Sequence, residues 1–323
     1  MKRIFLLAGF LAACYTSSAQ VYVSATGGYA WGVPSTKIGE ESINGTQSVR
    51  FGTFGEGINS QLRVGYFFNK TWGVDISVGY LYGKDQVVRR EISERSIANT
   101  PLKANINGEV IGRGRALGAA LSVTYNFTDN FYGRFGFLTK IGGRTEVVAH
   151  STTTIKGEID SRTLAALKTV IPALPDGDGT TINSGATIET TYTEDYKGKM
   201  PFGTIAALGY NYHVNEHLAI FAELEYMNIS VKRDYSDIKD FKQTLKATLN
   251  VGGQLVEKEI TLASLNNFKE DGSYQDFRGQ SYQKHVDYVE SATSEELAKP
   301  NKKLTEKASY SSLGLNFGIK YTF

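Results

Sequence analysis

Leu313-Gly314-Leu315-Asn316-Phe317-Gly318-Ile319-Lys320-Tyr321-Thr322-Phe323 ends the sequence and decides how the rest is read. Leu313, Leu315, Phe317, Ile319, Tyr321 and Phe323 share one parity; Gly314, Asn316, Gly318, Lys320 and Thr322 share the other. Successive side chains of a strand point to opposite faces, so one face here is wholly apolar and the other carries Lys and Asn. A strand of this kind has hydrocarbon on one side and a wet interior on the other, the period-two signature of a transmembrane β-barrel.

The same alternation recurs about eight times. Strand one, Val21 to Trp31, sets Val21, Val23, Ala25, Tyr29 and Trp31 against Tyr22, Ser24, Thr26 and Gly28. Strand two, Ile58 to Phe68, turns Arg63 inward, and strand three, from Trp72 to Tyr82, turns Asp75 inward. Strand four (about Arg115 to Phe127) and strand five (from Phe131 to Ile141) follow, with Arg134 and Lys140 on the inner parity of five. Strand six runs around Met200 to Tyr212, and strand seven, Leu218 to Tyr226, carries Glu223 and Glu225 inward. Strands two and three, four and five, and six and seven are joined by tight turns at Asn69-Lys70-Thr71, Thr128-Asp129-Asn130 and His213 to His217. The other links are long: about 32–57, 84–113, 144–198 and 232–306. Short turns on one side, long loops on the other and an even strand count describe an all-β, eight-stranded antiparallel up-and-down barrel with short periplasmic turns and long extracellular loops. Aromatics collect at two heights, Phe68, Trp72, Phe127, Phe131, Tyr212 and Phe323 at one rim and Tyr29, Trp31, Tyr80, Tyr82 and Tyr226 at the other.

Within the loops, Arg144 to Lys156 and Thr187 to Lys197 alternate well enough to extend strands five and six as a solvated hairpin. Arg162 to Ile171 is a short helical candidate. Ile238, Phe241, Leu245 and Leu249 fall at helical spacing, while Lys246 to Ile260 also reads as a hairpin around Gly252-Gly253.

Lys2 and Arg3, the apolar run Ile4 to Ala13 and the small residues Ser17-Ser18-Ala19 form a secretory signal peptide over 1–19, too short to span a bilayer. The barrel then occupies 20–323. Leu11-Ala12-Ala13-Cys14 also fits a lipobox with Cys14 lipidated, but the first barrel strand would follow too closely; cleavage after Ala19 leaves no cysteine and no disulfide. Loss of Lys2 and Arg3 brings 35 Lys and Arg down to 33, equal to the 33 Asp and Glu, which is no nucleic-acid binder's balance.

An eight-stranded interior is only wide enough for side chains to fill it. Arg63, Asp75, Arg134, Lys140, Glu223, Glu225 and Lys320 all point into it, both signs present. If Phe68 faces Trp72 across the first turn, Arg63 and Asp75 become diagonal neighbours. The expectation is a lumenal charge network that seals the barrel, with a narrow ion path as the other possibility. His213-Val-Asn-Glu216-His217 matches H-x-x-E-H, whose metal chemistry needs both rings on one helical face; a hairpin turn cannot supply that, and no third ligand is evident. Asp176-Gly-Asp178-Gly-Thr180 resembles the start of a calcium loop but has Thr187 where the bidentate Glu belongs, and turn chemistry explains it equally. His150 and His285 have no recognisable nucleophile beside them. No cofactor, metal or catalytic residue is expected.

The strand pattern, the terminal Phe323 and Gln20 after the cleavage site resemble bacterial outer-membrane β-barrels of the small eight-stranded OmpA/OmpX-like type, here of Bacteroidota. That resemblance covers nearly all of the chain after residue 19 and implies that outer-membrane lipid surrounds it. It implies insertion by the barrel assembly machinery, with Phe323 as the assembly signal, and no appended peptidoglycan-binding domain. It implies a structural or surface-interaction role, the long loops binding an extracellular protein or glycan; a small passive diffusion pore is the alternative, and a lipid-modifying enzyme the remaining class.

Overall fold

The computed structural model describes residues 20–33, 36–96, 102–168, 180–251, 253–276 and 279–323; the expected signal peptide over 1–19, with Cys14, and Asp176 and Asp178 lie outside them. The described chain is almost entirely strand. In order, it forms β1 (Gln20–Gly32), β2 (Thr36–Ile43), β3 (Thr46–Gly52), β4 (Gly57–Phe67), β5 (Trp72–Gly83), β6 (Gln86–Ser96), β7 (Lys103–Asn126) and β8 (Phe131–Lys156). A helix α1 (Ser161–Lys168) precedes β9 (Thr180–Gly198), β10 (Gly203–His213), β11 (Leu218–Asn228), β12 (Ser230–Val251) and β13 (Gln254–Ser264). Short strands β14 (Ser273–Gln275), β15 (Ser281–Gln283), β16 (His285–Val289), β17 (Lys302–Leu304) and β18 (Lys307–Ser309) lead to β19 (Ser312–Thr322).

Antiparallel pairings run β1 to β4, β5, β7, β8, β10, β11 and β19, and β19 pairs back with β1 over Tyr22↔Thr322 to Gly32↔Ser312. The circuit leaves none of these strands with an unpaired edge, which full closure of a sheet achieves. Side chains on its inner face are buried even when polar, such as Ser24, Asn59, Ser122 and Asn316. Those on its outer face are exposed even when large and apolar, such as Leu62, Leu121, Phe137 and Phe317.

One device closes all three short turns. Asn69 accepts backbone N–H bonds from Thr71 and Trp72 at 2.8 Å each, Thr128 accepts from Asn130 and Phe131, and Asn215 accepts from His217 and Leu218. In each, the residue before the capping side chain donates its N–H across the turn: Phe68 to Trp72, Phe127 to Phe131, Val214 to Leu218. Asn and Thr favour such turns because their short side chains replace a backbone acceptor. Aromatic rings line this end in contact, Trp72 with Tyr125 at 4.7 Å and Tyr125 with Phe127 at 5.1 Å.

The other end carries more strand than the loop segments alone foretold. β7 and β8 continue far past the ring and stay paired up to Lys103↔Lys156. β9 pairs with this extension of β8 on one side and with β12 on the other, so the expected hairpin is part of a wider sheet. β9 also does not run on into the next ring strand. The chain breaks between Gly198 and Gly203, where Pro201 has no N–H to offer a ladder, so strand six starts at Gly203 rather than Met200. Residues 236–249 are strand, not helix. The helical spacing from Ile238 to Phe241 comes from a bulge between Ile238 and Asp240, after which Phe241, Gln243, Leu245 and Leu249 return to one face. β12 and β13 form the hairpin that Lys246 to Ile260 foreshadowed. α1 occupies the helical candidate as far as Lys168 and buries Leu164 against Ile155, Ile182, Ile188 and Leu245.

Candidate functional site

The inner faces of β4, β5, β8 and β11 bring five of the seven inward charges into one cluster. Arg63 grips Glu223 with both terminal nitrogens, at 3.0 and 3.2 Å. Arg134 reaches Glu223 at 2.7 Å and Glu225 at 2.5 Å through one nitrogen. Asp75 stands 3.7 Å from Arg63 and 3.9 Å from Arg134, beyond hydrogen-bond reach, and accepts instead from the Thr124 hydroxyl at 2.9 Å. The register explains the first of these contacts: Arg63 faces Ser77 and Asp75 faces Gly65, which makes them diagonal neighbours. All five side chains are buried. Bidentate and shared charge-assisted bonds of this kind hold buried ions that would otherwise be costly to desolvate.

Sequence reading missed two members. Gln61 donates to Glu225 at 2.7 Å, and the Tyr132 hydroxyl donates to Glu223 at 2.8 Å. The inner parity of Tyr132 was visible; the signal overlooked was Gly209 directly across from it on β10. A Cβ at Gly209 would sit 2.2 Å from the Tyr132 ring, so only glycine lets that ring cross the lumen, and Gly65 does the same for Tyr22.

Lys140 and Lys320 point inward but join no ion pair among the described residues. Lys320 lies on the short-turn side, its ammonium 5.6 Å from the Tyr22 ring and 5.9 Å from that of Tyr132. Between this lysine and the cluster is a void of about 10 Å³, bordered also by Ser24, Asn211 and Phe221. Lys140 lies on the loop side, 5.2 Å from the Tyr310 ring, at the border of a chamber of about 90 Å³. Phe54, Ile229, Val231, Ala308 and Tyr310 fold over that chamber as an apolar cover. Backbone bonds fasten it: Phe54 N–H to the Ser309 carbonyl at 2.8 Å and Tyr310 N–H to the Ile229 carbonyl at 2.9 Å. Along the axis, then, a charged layer spans the ring and an apolar layer lies above it at the loop end.

The other candidates disperse. His213 and His217 occupy the turn from β10 to β11, and each ring donates to a different carbonyl, Asp129 at 3.1 Å and Thr322 at 2.8 Å. His150 contacts the Thr152 hydroxyl at 3.3 Å. His285 has both ring nitrogens engaged by carboxylates, Asp237 at 2.7 Å and Asp287 at 3.1 Å. Phe323 is exposed at the end of β19, its ring 5.1 Å from Tyr321.

No protein-family description matches the chain, and no curated protein matches it in sequence. Among solved structures it is similar to the outer membrane protein OprG from Pseudomonas aeruginosa, at 12% identity and a TM-score of 0.36, covering 95% of this chain and 97% of that one. It is similar also to a major outer membrane protein from Thermus thermophilus, at 12% identity and a TM-score of 0.28 over 95% and 100% of the two chains. CarO2 of Acinetobacter baumannii gives 11% identity and a TM-score of 0.25 over 94% and 99%. Scores of this size transfer neither detailed architecture nor function to this chain.

Proposed function

We propose that the closed circuit is an eight-stranded transmembrane barrel of the small OmpA/OmpX-like type, seated in a bacterial outer membrane with its lumen sealed. On this reading it carries its long-loop end outward as a platform for an extracellular protein or glycan, and it is not an enzyme. The observation that carries the sealed lumen is the Arg63–Asp75–Arg134–Glu223–Glu225 cluster, buried across the ring. Support for the membrane seat is the parity of the strands, with Leu121, Phe137 and Phe317 outward and bands of aromatic rings at the rims. Support for the platform is the paired sheet that β7, β8, β9, β12 and β13 build beyond the ring, since loops that merely connect strands need no core of their own. Insertion by the barrel assembly machinery through Phe323 belongs to the same reading.

Planar-bilayer recording tests the seal. Wild type should give no steady channels, and Arg134→Leu, which strips the ion partner from Glu225, should give discrete openings. Large, long-lived openings in wild type that Arg134→Leu leaves unchanged would instead make the protein a passive diffusion pore. Protease treatment of intact cells tests sidedness, with cuts expected within 232–306 and none at Lys70, Asp129 or Asn215.

A further inference from the structure

The loop-side rim of the ring carries a cleft of about 590 Å³ at the break between β9 and β10. Its lining mixes two chemistries, Lys199, Lys232, Lys307 and Glu290 with Met200 and Phe202. Phe202 is 83% exposed, more than any other large apolar side chain among the described residues, and Met200 is 67% exposed. Thr204, on the same lining, faces the exposed Phe137 across the ladder from β10 to β8, so the cleft adjoins the apolar outer face of the ring. The fold crowds the lysines. Lys232 on β12 stands directly across from Lys307 on β18, a like-charge pair that destabilises a ladder. The Lys199 N–H donates to the Lys232 carbonyl at 3.0 Å, which sets a third lysine beside them. Among the lining residues Glu290 is the one carboxylate, reached by Lys232 at 2.9 Å and Lys199 at 3.9 Å. Glu306, next to Lys307, is engaged by Arg233 at 2.8 Å. Three cations against one carboxylate leave an excess of two positive charges beside an apolar surface.

We infer that this cleft holds a membrane lipid whose headgroup carries a phosphate monoester. The phosphate lies among Lys199, Lys232 and Lys307, and an acyl chain runs along Phe202 and Met200. The inference rests on the proposed membrane seat, which puts this rim at headgroup level, where aromatic rings and lysines meet the polar boundary of the bilayer. Charge matching selects the monoester. It carries about −1.5 to −2 at pH 7, against the excess of two, whereas a phosphodiester headgroup supplies half of that. Lysine serves phosphate as a point charge, so no rigid fork is needed to hold it. Free phosphate would match the charge but leave Phe202 and Met200 uncovered.

The test puts a fluorescent reporter in the cleft: Phe202→Trp in a chain that also carries Trp31→Phe and Trp72→Phe, which leaves one indole. The full chain is reconstituted in phosphatidylcholine vesicles with a rising fraction of acyl-brominated phosphatidic acid, phosphatidylglycerol or phosphatidylcholine. Bromine quenches an indole that it touches, so quenching reports which lipid sits at position 202. Phosphatidic acid should be enriched there roughly twentyfold over phosphatidylcholine, about fivefold for each excess charge, and phosphatidylglycerol about fivefold. Each of Lys199→Gln, Lys232→Gln and Lys307→Gln should lower the enrichment of phosphatidic acid about fivefold. Glu290→Gln should raise it by about the same factor, and the triple lysine variant should remove it. Equal quenching by the three lipids overturns the inference and leaves the membrane seat intact. So does a preference that the triple variant keeps. Loss of the preference on adding equimolar inorganic phosphate also overturns it, since the site would then take free anions. Quenching of the exposed Trp31 and Trp72 in the unaltered chain by brominated phosphatidylcholine, without quenching at 202, overturns this inference alone. Quenching at none of the three positions overturns the membrane seat with it. Heat-dependent gel mobility first checks that each variant folds. If the reporter variant does not, native mass spectrometry decides: the unaltered chain should retain one phosphatidic acid and the triple lysine variant none, and equal retention overturns the inference.

Discussion

β8 passes through two opposite environments without a break. In the ring its Phe135 and Phe137 are exposed and its Arg134 is buried; about twenty residues on, Ile155 is buried in a core with Leu164 and Leu245. β7 beside it makes the same exchange, Leu121 exposed at 58% in the ring and Ile106 buried at 8% beyond it. Backbone pairing is continuous across the change apart from one bulge between Leu117 and Gly118. On the proposed membrane seat, what inverts is the medium: lipid would reward apolar surface on the outside of the ring, whereas the sheet beyond it buries its apolar side in the ordinary way.

The contrast is broken hardest at the charged layer. Glu223→Gln would leave the buried Arg63 and Arg134 without their shared carboxylate, and Tyr132 with a weaker acceptor. Removing one partner from a buried ion pair costs about 3–5 kcal/mol. Urea unfolding in lipid should show that loss, and a change under about 1 kcal/mol would mean that the cluster is hydrated in the folded barrel. Leu245→Ala tests the other core, where opening a cavity costs about 2–5 kcal/mol. Hydrogen exchange should then rise in β9 and β12 with the ring unchanged; equal loosening of the ring would make the two regions one cooperative unit. A third substitution separates the media directly. Leu121→Arg on the outer face should cost about 2–4 kcal/mol near the bilayer midplane, and Val256→Arg, also at an exposed position, on β13, should stay within about 0.5 kcal/mol. Equal effects at the two positions would remove the basis for placing the ring in lipid.

The ring was legible because the period-two parity repeats on every strand separately, so each stretch of about ten residues carried its own evidence. The register across the first turn entered as a condition, Phe68 facing Trp72, and the backbone bond from Phe68 to Trp72 meets it. The sheet beyond the ring was harder. Its strands are rich in Thr and Glu, and bulges such as that at Ile238 imitate helical spacing. Within the lumen, parity named all seven charges but not their heights along the axis. Height depends on how far each strand is staggered against the next, and nothing local in Lys140 or Lys320 distinguishes them from Arg134. Hence five of the seven meet, and two stand above and below. Gln61 and Tyr132 were missed for a related reason: their partners lie 164 and 91 residues away, and only the circuit brings them together.

The smallest expected effect lies at the water-facing end, where the comparison predicts weak and screened electrostatics. His285 on β16 bonds Asp237 on β12 with one ring nitrogen and its own neighbour Asp287 with the other, and Lys239 shares Asp237 at 3.0 Å. The bond to Asp237 raises the His285 imidazole above its ordinary histidine value, burial working against it and the bond to Asp287 with it. A pKa raised on folding gives stability that is fully present below the unfolded value, about 6.5, and is lost as pH rises through the folded one. The ring is about half exposed, so solvent screens most of the gain. Exchange of the β16 amides should therefore quicken modestly between about pH 6 and 8, and His285→Gln should flatten that dependence while leaving ring amides untouched. A pH response of the same size in β1 or β19 would mean that titration at this end reaches the lipid-facing ring, and the two environments of β8 could then no longer be treated as separate.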